Sequence, residues 1–189
     1  MTQLSFQKLG PYNKRGELNV VIETPKGHRN KYKYEEEYGT FKLAGLLPAG
    51  AVFPYDFGFV PETLGGDNDP LDVLVLMDEP AFPGCIIPSR LIGVIEAEQT
   101  ERNGKKTRND RLIAVAMKSE VYHDILDIGS LNRTLTRQIE HFFISYNVVK
   151  GKEFKVLGCH GIGEAEQTLK QALDRHKKEA QNQEAQNQE

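Results

Sequence analysis

Three aspartates stand close together at Asp67, Asp69 and Asp72, in the run Gly65-Gly66-Asp67-Asn68-Asp69-Pro70-Leu71-Asp72. Pro70 stiffens the middle of this loop. The Val73-Leu74-Val75-Leu76 that follows reads as a buried strand, so a rigid element anchors the acidic loop. Three ionised carboxylates at such spacing repel one another, and without a counter-charge at least one would stay protonated. A divalent cation removes that repulsion, and aspartate oxygens suit a hard ion such as Mg²⁺, Mn²⁺ or Ca²⁺. An ordinary solvated turn uses the same residue types. The regular spacing and the apolar strand behind it favour the metal loop. A calcium EF-hand does not fit: counting from Asp67, the third acidic position falls on Leu71 and the required glycine is Asp72.

Other residues supply matching chemistry. Glu23 ends an apolar run, and Lys31 and Lys33 share one face of a second strand. Asp110-Arg111 sets a carboxylate beside a guanidinium. Tyr146 closes a helical stripe with its hydroxyl free to leave the core, and Lys150-Gly151-Lys152 follows. Carboxylates that hold metal, opposite Lys and Arg that hold anions, form a site for a phosphorylated substrate. Asp69, flanked by Asp67 and Asp72, would orient or deprotonate the attacking water. Each outlying residue also has a plainer role. Lys31 and Lys33 serve as solubilising charges, Tyr146 as core, and Asp110–Arg111 as a surface ion pair of little energetic value. His141 falls inside the helical pattern as a structural residue. Only the acidic loop stands alone; the rest gain weight jointly. No Ser/His/Asp arrangement, Gly-x-x-x-x-Gly-Lys loop or Gly-x-Gly-x-x-Gly is present, which argues against the common nucleotide folds.

Short strands must position these groups. Leu18–Glu23, Lys31–Tyr34 and Tyr38–Leu43 predict an antiparallel meander. The proline-broken stretch 46–61 predicts aromatic packing and no central strand. Strands follow at 71–76, 86–88, 91–97 and 112–117, with a charged hairpin tip at Asn103-Gly104. Helices come late. One is capped by Ser130 and carries Leu131, Leu135, Ile139, Phe142 and Tyr146. A short strand at 153–157 separates it from a second helix, Glu164 to about Glu179, with Ala165, Leu169, Ala172 and Leu173 inward. The expected fold is mainly β with late helices (α+β), a small closed or half-closed barrel. Residues 1–178 make one domain. Residues 179–189 repeat a polar five-residue unit and form a tail, either solvated helix end or disorder.

The loop Asp67-Asn68-Asp69-Pro70-Leu71-Asp72-Val73 resembles the D-x-D-P-x-D signature of soluble family I inorganic pyrophosphatases, and the resemblance runs from about Glu17 to about Lys155. It implies a five-stranded OB-type closed barrel with two α-helices packed on it. It implies hydrolysis of inorganic diphosphate to two phosphates with Mg²⁺ (Mn²⁺ as the alternative), and a homo-oligomer. Carried over by position, Asp67, Asp72 and Glu23 join the metal site, with Asp110 as a shifted ligand. Asp69 matches the carboxylate beside the nucleophilic water. Lys31, Tyr146 and Lys152 match phosphate-binding positions, and Lys33 and Arg111 supply further cations. With Asp69, Tyr146 and Lys31 form the catalytic set. The departures are specific: Lys33 stands where the pattern has glutamate, Gly45 where it has arginine, Phe57 where it has tyrosine, and Asn147 where it has lysine. The acidic-x-Lys motif reads Asn109-Asp110-Arg111, so its metal ligand is either replaced by Asn109 or shifted to Asp110, and an expected aspartate lines up near Gln99, beside Glu98 and Glu101. Each lost charged phosphate contact would cost on the order of 1.5–3 kcal/mol, with Lys33, Lys42 and Arg111 in reserve. Two other readings stay open: hydrolysis of another phosphoanhydride or phosphate ester, and a non-catalytic metal- or phosphate-binding relative. The retained Asp69 favours the enzyme.

Composition narrows the partners. The chain of 189 residues is long enough for one cored domain, and its net charge of −3 argues against nucleic acid or an anionic membrane. No apolar run spans a bilayer and no signal peptide opens the chain, which points to the cytoplasm. Cys85 and Cys159 are expected to be free thiols.

Overall fold

The structure, a computed structural model, describes Phe6 and residues 9–186. Nine strands and two α-helices follow one another. They are β1 (Leu18–Thr24), β2 (Asn30–Glu35), β3 (Thr40–Leu46), β4 (Asp56–Phe59), β5 (Asp72–Leu76), β6 (Ile86–Thr100), β7 (Lys106–Arg108), β8 (Arg111–Ala116), α1 (Arg133–Val149), β9 (Glu153–His160) and α2 (Ile162–Gln186). The sheet runs β1–β4–β5–β8–β6, and β6 pairs back onto β1. Five strands thus close a ring, the barrel the sequence led one to expect. β7 and β9 both pair with β6. Only β5 and β8 run parallel in this ring. The 15-residue β6 joins the two segments expected at 86–88 and 91–97, and it serves four neighbours. Register shifts at Leu91/Gly93 and Glu96/Ala97 bend it between them.

Alternation along the strands feeds two cores. Leu74, Leu76, Ile113 and Val115 pack with Phe53, Phe57 and Phe154 beneath Ile139 and Phe143 of α1. Their neighbours Val73, Val75, Leu112 and Ala114 pack with Val20 and Ile22 beneath Ala165, Leu169 and Ala172 of α2. Strands covered on both faces read as unbroken apolar runs, which is why β1 and β8 are buried throughout.

Three expectations change. Residues 56–59 form β4, a central strand paired with both β1 and β5. Pro54 and Pro61 lie just outside it, so no ladder donor is lost, and Gly58 allows the approach: a Cβ there would sit 1.9 Å from the Val21 carbonyl oxygen. The expected meander is broken, because β1 pairs with β4 and β6 while β2 and β3 form a separate hairpin. Side chains bridge that gap: Thr24 Oγ1 accepts from the Tyr32 amide (3.0 Å) and Glu23 Oε1 from the Tyr34 amide (2.8 Å). Asn132, not Ser130, caps α1, accepting from the Thr134 amide at 2.8 Å. Ser130 instead closes a short 3-10 turn that Asp127 caps. The polar tail continues α2 as a solvated helix end to Gln186; residues 187–189 lie outside the described residues. Among the described residues no helix is long and apolar enough to cross a membrane.

Candidate active site

The acidic loop is fixed from behind. The Leu64 amide donates to the Ala172 carbonyl (3.0 Å) and Arg175 Nε to the Leu64 carbonyl (2.8 Å), so α2 holds its first residues. Thr63 Oγ1 donates to the Val60 carbonyl and accepts from the Leu71 amide, tying the two ends of the loop together. Inside, the Gly65 amide donates to the Asp69 carbonyl at 2.7 Å. Asn68 takes φ +67°, a conformation asparagine tolerates. Gly66 lies against the β7–β8 turn, where a Cβ would meet the Arg108 carbonyl oxygen at 2.7 Å.

This loop forms one wall of a cavity of about 640 Å³. Glu23, Asp67, Asp69 and Asp72 line it, and so do Lys31, Lys33, Arg111, Tyr146 and Lys152. Nine of the ten residues expected in the site therefore meet there. The exception is Asp110, which faces away and accepts from the Ala97 amide (3.0 Å) and Arg108 Nε (2.6 Å). Neighbouring residues of an extended chain point to opposite sides, so Asn109 takes the cavity position and Asp110 serves the outer face. The partner of Arg111 changes with it. The carboxylate beside the guanidinium is that of Asp72, 2.7 Å from Nη1.

The cations are held on aromatic faces. Arg111 is buried, with its guanidinium carbon 5.4 Å from the Phe143 ring centroid, 5.8 Å from Phe154 and 6.0 Å from Phe57. Lys31 Nζ lies 5.5 Å from the Phe57 centroid and 5.7 Å from that of Tyr146. Phe57, where the resemblance expects tyrosine, is thus the platform shared by Lys31 and Arg111. Lys33 pairs with Asp69 at 2.7 Å. Burial works to lower its ammonium, but the hydrogen bond and charge of Asp69, with Glu23 and Asp72, carry it above its usual value.

Sequence reasoning left some of the wall unassigned. Lys150 bonds to the Tyr146 hydroxyl one helical turn away, and burial lowers its pKa, aided by the charges of Lys31 and Lys152. Gln99, Asn109, Glu62 and the α2 residues His176, Glu179 and Gln183 also line the cavity. The Tyr146–Lys150 spacing was readable in the sequence; the α2 residues carry no local signal. Lys42 gives no help to the phosphate shell, since it bonds to Glu35 on the hairpin. Gly45 leaves open space, with nothing within 4 Å of a Cβ built there. Asn147 turns its amide to the Phe143 carbonyl at 2.8 Å.

The acidic side suits a hard divalent cation. Burial and the charge of Asp72 raise the pKa of Asp67. Burial, with a smaller contribution from Asp72, raises that of Glu23 to about 7, against the hydrogen bond from the Tyr34 amide. A cation there would relieve both. Among the described residues no three acidic, histidine or cysteine side chains converge on one point, and Asp72 leans on Arg111. That arrangement fits an ion held by one or two carboxylates, with water and substrate oxygens completing its shell, as Mg²⁺ is commonly bound.

A fold with a closed five-stranded ring, an acidic loop and facing cations defines a phosphoryl-handling enzyme scaffold. The sequence model described as inorganic pyrophosphatase matches residues 20–177. The inorganic pyrophosphatase of Nanoarchaeum equitans is 40% identical over 166 residues, covering 86% of this chain and 99% of that one. That of Methanosarcina acetivorans is 35% identical over 158 residues, covering 84% and 91%. The crystal structure of the inorganic pyrophosphatase from Thermus thermophilus superposes with a TM-score of 0.82 at 33% identity, covering 93% of this chain and 99% of that one. The chain belongs to the family I inorganic pyrophosphatases.

Proposed function

We propose that the chain hydrolyses inorganic diphosphate to two phosphates at this cavity. One observation carries the reading: the Asp67–Asp69–Asp72 loop faces Lys31, Lys33, Arg111 and Lys152 across a single cavity. Arg111 and Lys31, seated on aromatic rings, grip phosphate oxygens together with Lys33, Lys152 and the Tyr146 hydroxyl. As the diphosphate draws the ammonium of Lys33, Asp69 loses its ion-pair partner and is left to take the proton of the attacking water. The water oxygen bonds to one phosphorus, the bridging P–O bond breaks, and the second phosphate leaves with the electron pair. Asp67, Asp72 and Glu23 would hold Mg²⁺, or Mn²⁺, with one or two of these carboxylates to an ion, and the metal would supply Lewis acidity toward the phosphate oxygens and toward water. Residues 1–178 act as one catalytic domain, in the cytoplasm and as a homo-oligomer, in keeping with the family.

The test is phosphate release from diphosphate with Mg²⁺, with Mn²⁺ and with chelator, beside Asp69→Asn. The reading expects metal-dependent turnover that falls at least a hundredfold in the variant, the scale of a lost general base. Folded, metal-binding protein without turnover in either metal overturns it. The cavity volume favours a second reading, a longer phosphoanhydride as substrate. Running tripolyphosphate in the same assay decides between them.

A further inference from the structure

Gln99 and Asn109 are among the most buried polar residues of the cavity wall, 8% and 5% exposed. Their hydrogen bonds form one directed chain. Arg111 Nη1 donates to Asn109 Oδ1, Asn109 Nδ2 donates to Gln99 Oε1 at 3.2 Å, and Gln99 Nε2 donates to Glu101 Oε1 at 2.5 Å. Each end closes on an ion pair. Arg111 Nη1 reaches Asp72 Oδ2 at 2.7 Å, and Lys152 Nζ reaches the two Glu101 oxygens at 2.9 and 2.8 Å. The sequence of contacts is therefore Asp72–Arg111–Asn109–Gln99–Glu101–Lys152.

The chemistry of the two ends fixes both amides. A guanidinium has only donors, so the oxygen of Asn109 must face Arg111. A carboxylate has only acceptors, so the NH₂ of Gln99 must face Glu101. With all donors pointing one way, each bond polarises the next. The two amides also join the ion pairs without adding charge. A carboxylate at position 109 would give Arg111 a second anion besides Asp72 and spend its positive charge inside the protein. Neutral amides hold the guanidinium in place and leave that charge for a ligand.

We propose that Gln99 and Asn109 are positioning residues that couple Arg111 to Lys152, so that the two cations meet the phosphate groups of the substrate as one preset unit. Neither amide touches the reacting atoms; each acts through the cation at its end of the chain. The inference rests on the reading of the cavity as a diphosphate site.

The probe is imidodiphosphate, a diphosphate analogue with a non-hydrolysable bridge, titrated calorimetrically into the full chain in the presence of Mn²⁺. Mn²⁺ binding alone and thermal unfolding serve as parallel readouts. Gln99→Met keeps the side-chain length and removes both hydrogen bonds. It is expected to weaken analogue binding about three- to tenfold, the scale of a net hydrogen bond, with Mn²⁺ affinity changed less than about twofold. Combined with Lys152→Met, the loss is expected to fall short of the product of the two single losses by a factor of about three or more, the mark of coupled residues. Glu101→Met, closer to the surface, removes the acceptor of both Gln99 and Lys152, cuts the same chain without disturbing the core, and repeats the cycle should Gln99→Met fold poorly. Losses that multiply, or a lowered Tm with analogue binding unchanged, overturn the coupling. Wild-type protein that fails to bind imidodiphosphate overturns the diphosphate reading itself and the coupling with it.

Discussion

Glu23 offers a quantitative test of how the acidic wall is built. Its carboxyl is buried, and burial lifts its pKa from 4.5 to about 7. The Tyr34 amide, Lys31 and Lys33 pull it down, and Asp72 pushes it up. The folded protein therefore keeps this proton to a higher pH than the unfolded chain does. Between the two values the folded state binds more protons, so stability falls as pH rises from about 4.5 to about 7. At 1.36 kcal/mol per pKa unit, the loss is on the order of 3 kcal/mol. Glu23→Gln removes the ionisation, and the new amide oxygen can still accept from the Tyr34 amide, as Oε1 does now at 2.8 Å. Thermal melts in chelator should give similar Tm values for wild type and variant near pH 5. Near pH 8 the variant should melt higher by roughly 6–12 °C, at 2–4 °C per kcal/mol for a domain of this size. Mg²⁺ should reverse the order at pH 8, because only the carboxylate is a strong ligand. Parallel Tm curves from pH 5 to 8 in chelator would refute the reasoning, since they would mean that Glu23 ionises without cost in the folded state.

Other perturbations follow from the same geometry. Lys33→Met should raise KM for diphosphate about tenfold or more, the scale of a lost charged contact, while stability moves by less than about 1 kcal/mol because the ion pair with Asp69 is half exposed. An unchanged KM would remove Lys33 from the substrate site. Gly58→Ala should destabilise by about 3 kcal/mol or more, because the new methyl would lie 1.9 Å from the Val21 oxygen of the neighbouring strand; urea melts measure it, and a loss under 1 kcal/mol contradicts the close approach of β1 and β4. Burial, with the charges of Glu140 and Asp127, pushes the Cys159 thiol up to about 11, and burial with Asp56 raises Cys85. At pH 7.5 both should alkylate with iodoacetamide at least tenfold more slowly than free cysteine, and at its rate in urea.

What could be read from the sequence was local. Asp67, Asp69 and Asp72 share one loop, so their chemistry survives any error about topology. Lys31 and Lys33 follow strand alternation onto the cavity side of β2, and Ile139 and Tyr146 follow helical spacing. Contacts between distant segments left fainter marks. β4 is four residues long between prolines, and its central place depends on Gly58 meeting a strand far back in the chain. Asp110 and Asn109 differ by a single step of alternation, so only the register of β8 decides which one faces the cavity. The hairpin β2–β3 escapes the meander because Glu23 and Thr24 spend side chains, not backbone, on holding it.

The closing contact of the ring has a temporal meaning. β1 is complete early in synthesis, yet it pairs with Ser89, Pro88, Ile87 and Ile86 of β6, which are made much later. β5 in turn waits for β8, its parallel partner, which is made later than that part of β6. A nascent chain that has just emerged through the acidic loop thus carries Asp72 before its guanidinium partner Arg111 has been translated, while Lys33, the partner of Asp69, is already made. Its apolar β1 and β5 stand as open edges over the same interval. Because the ring is built from contacts distant in sequence, it closes slowly and late. The ribosome, by fixing the order in which strands appear, therefore leaves the assembly of the catalytic pocket among the last steps of folding.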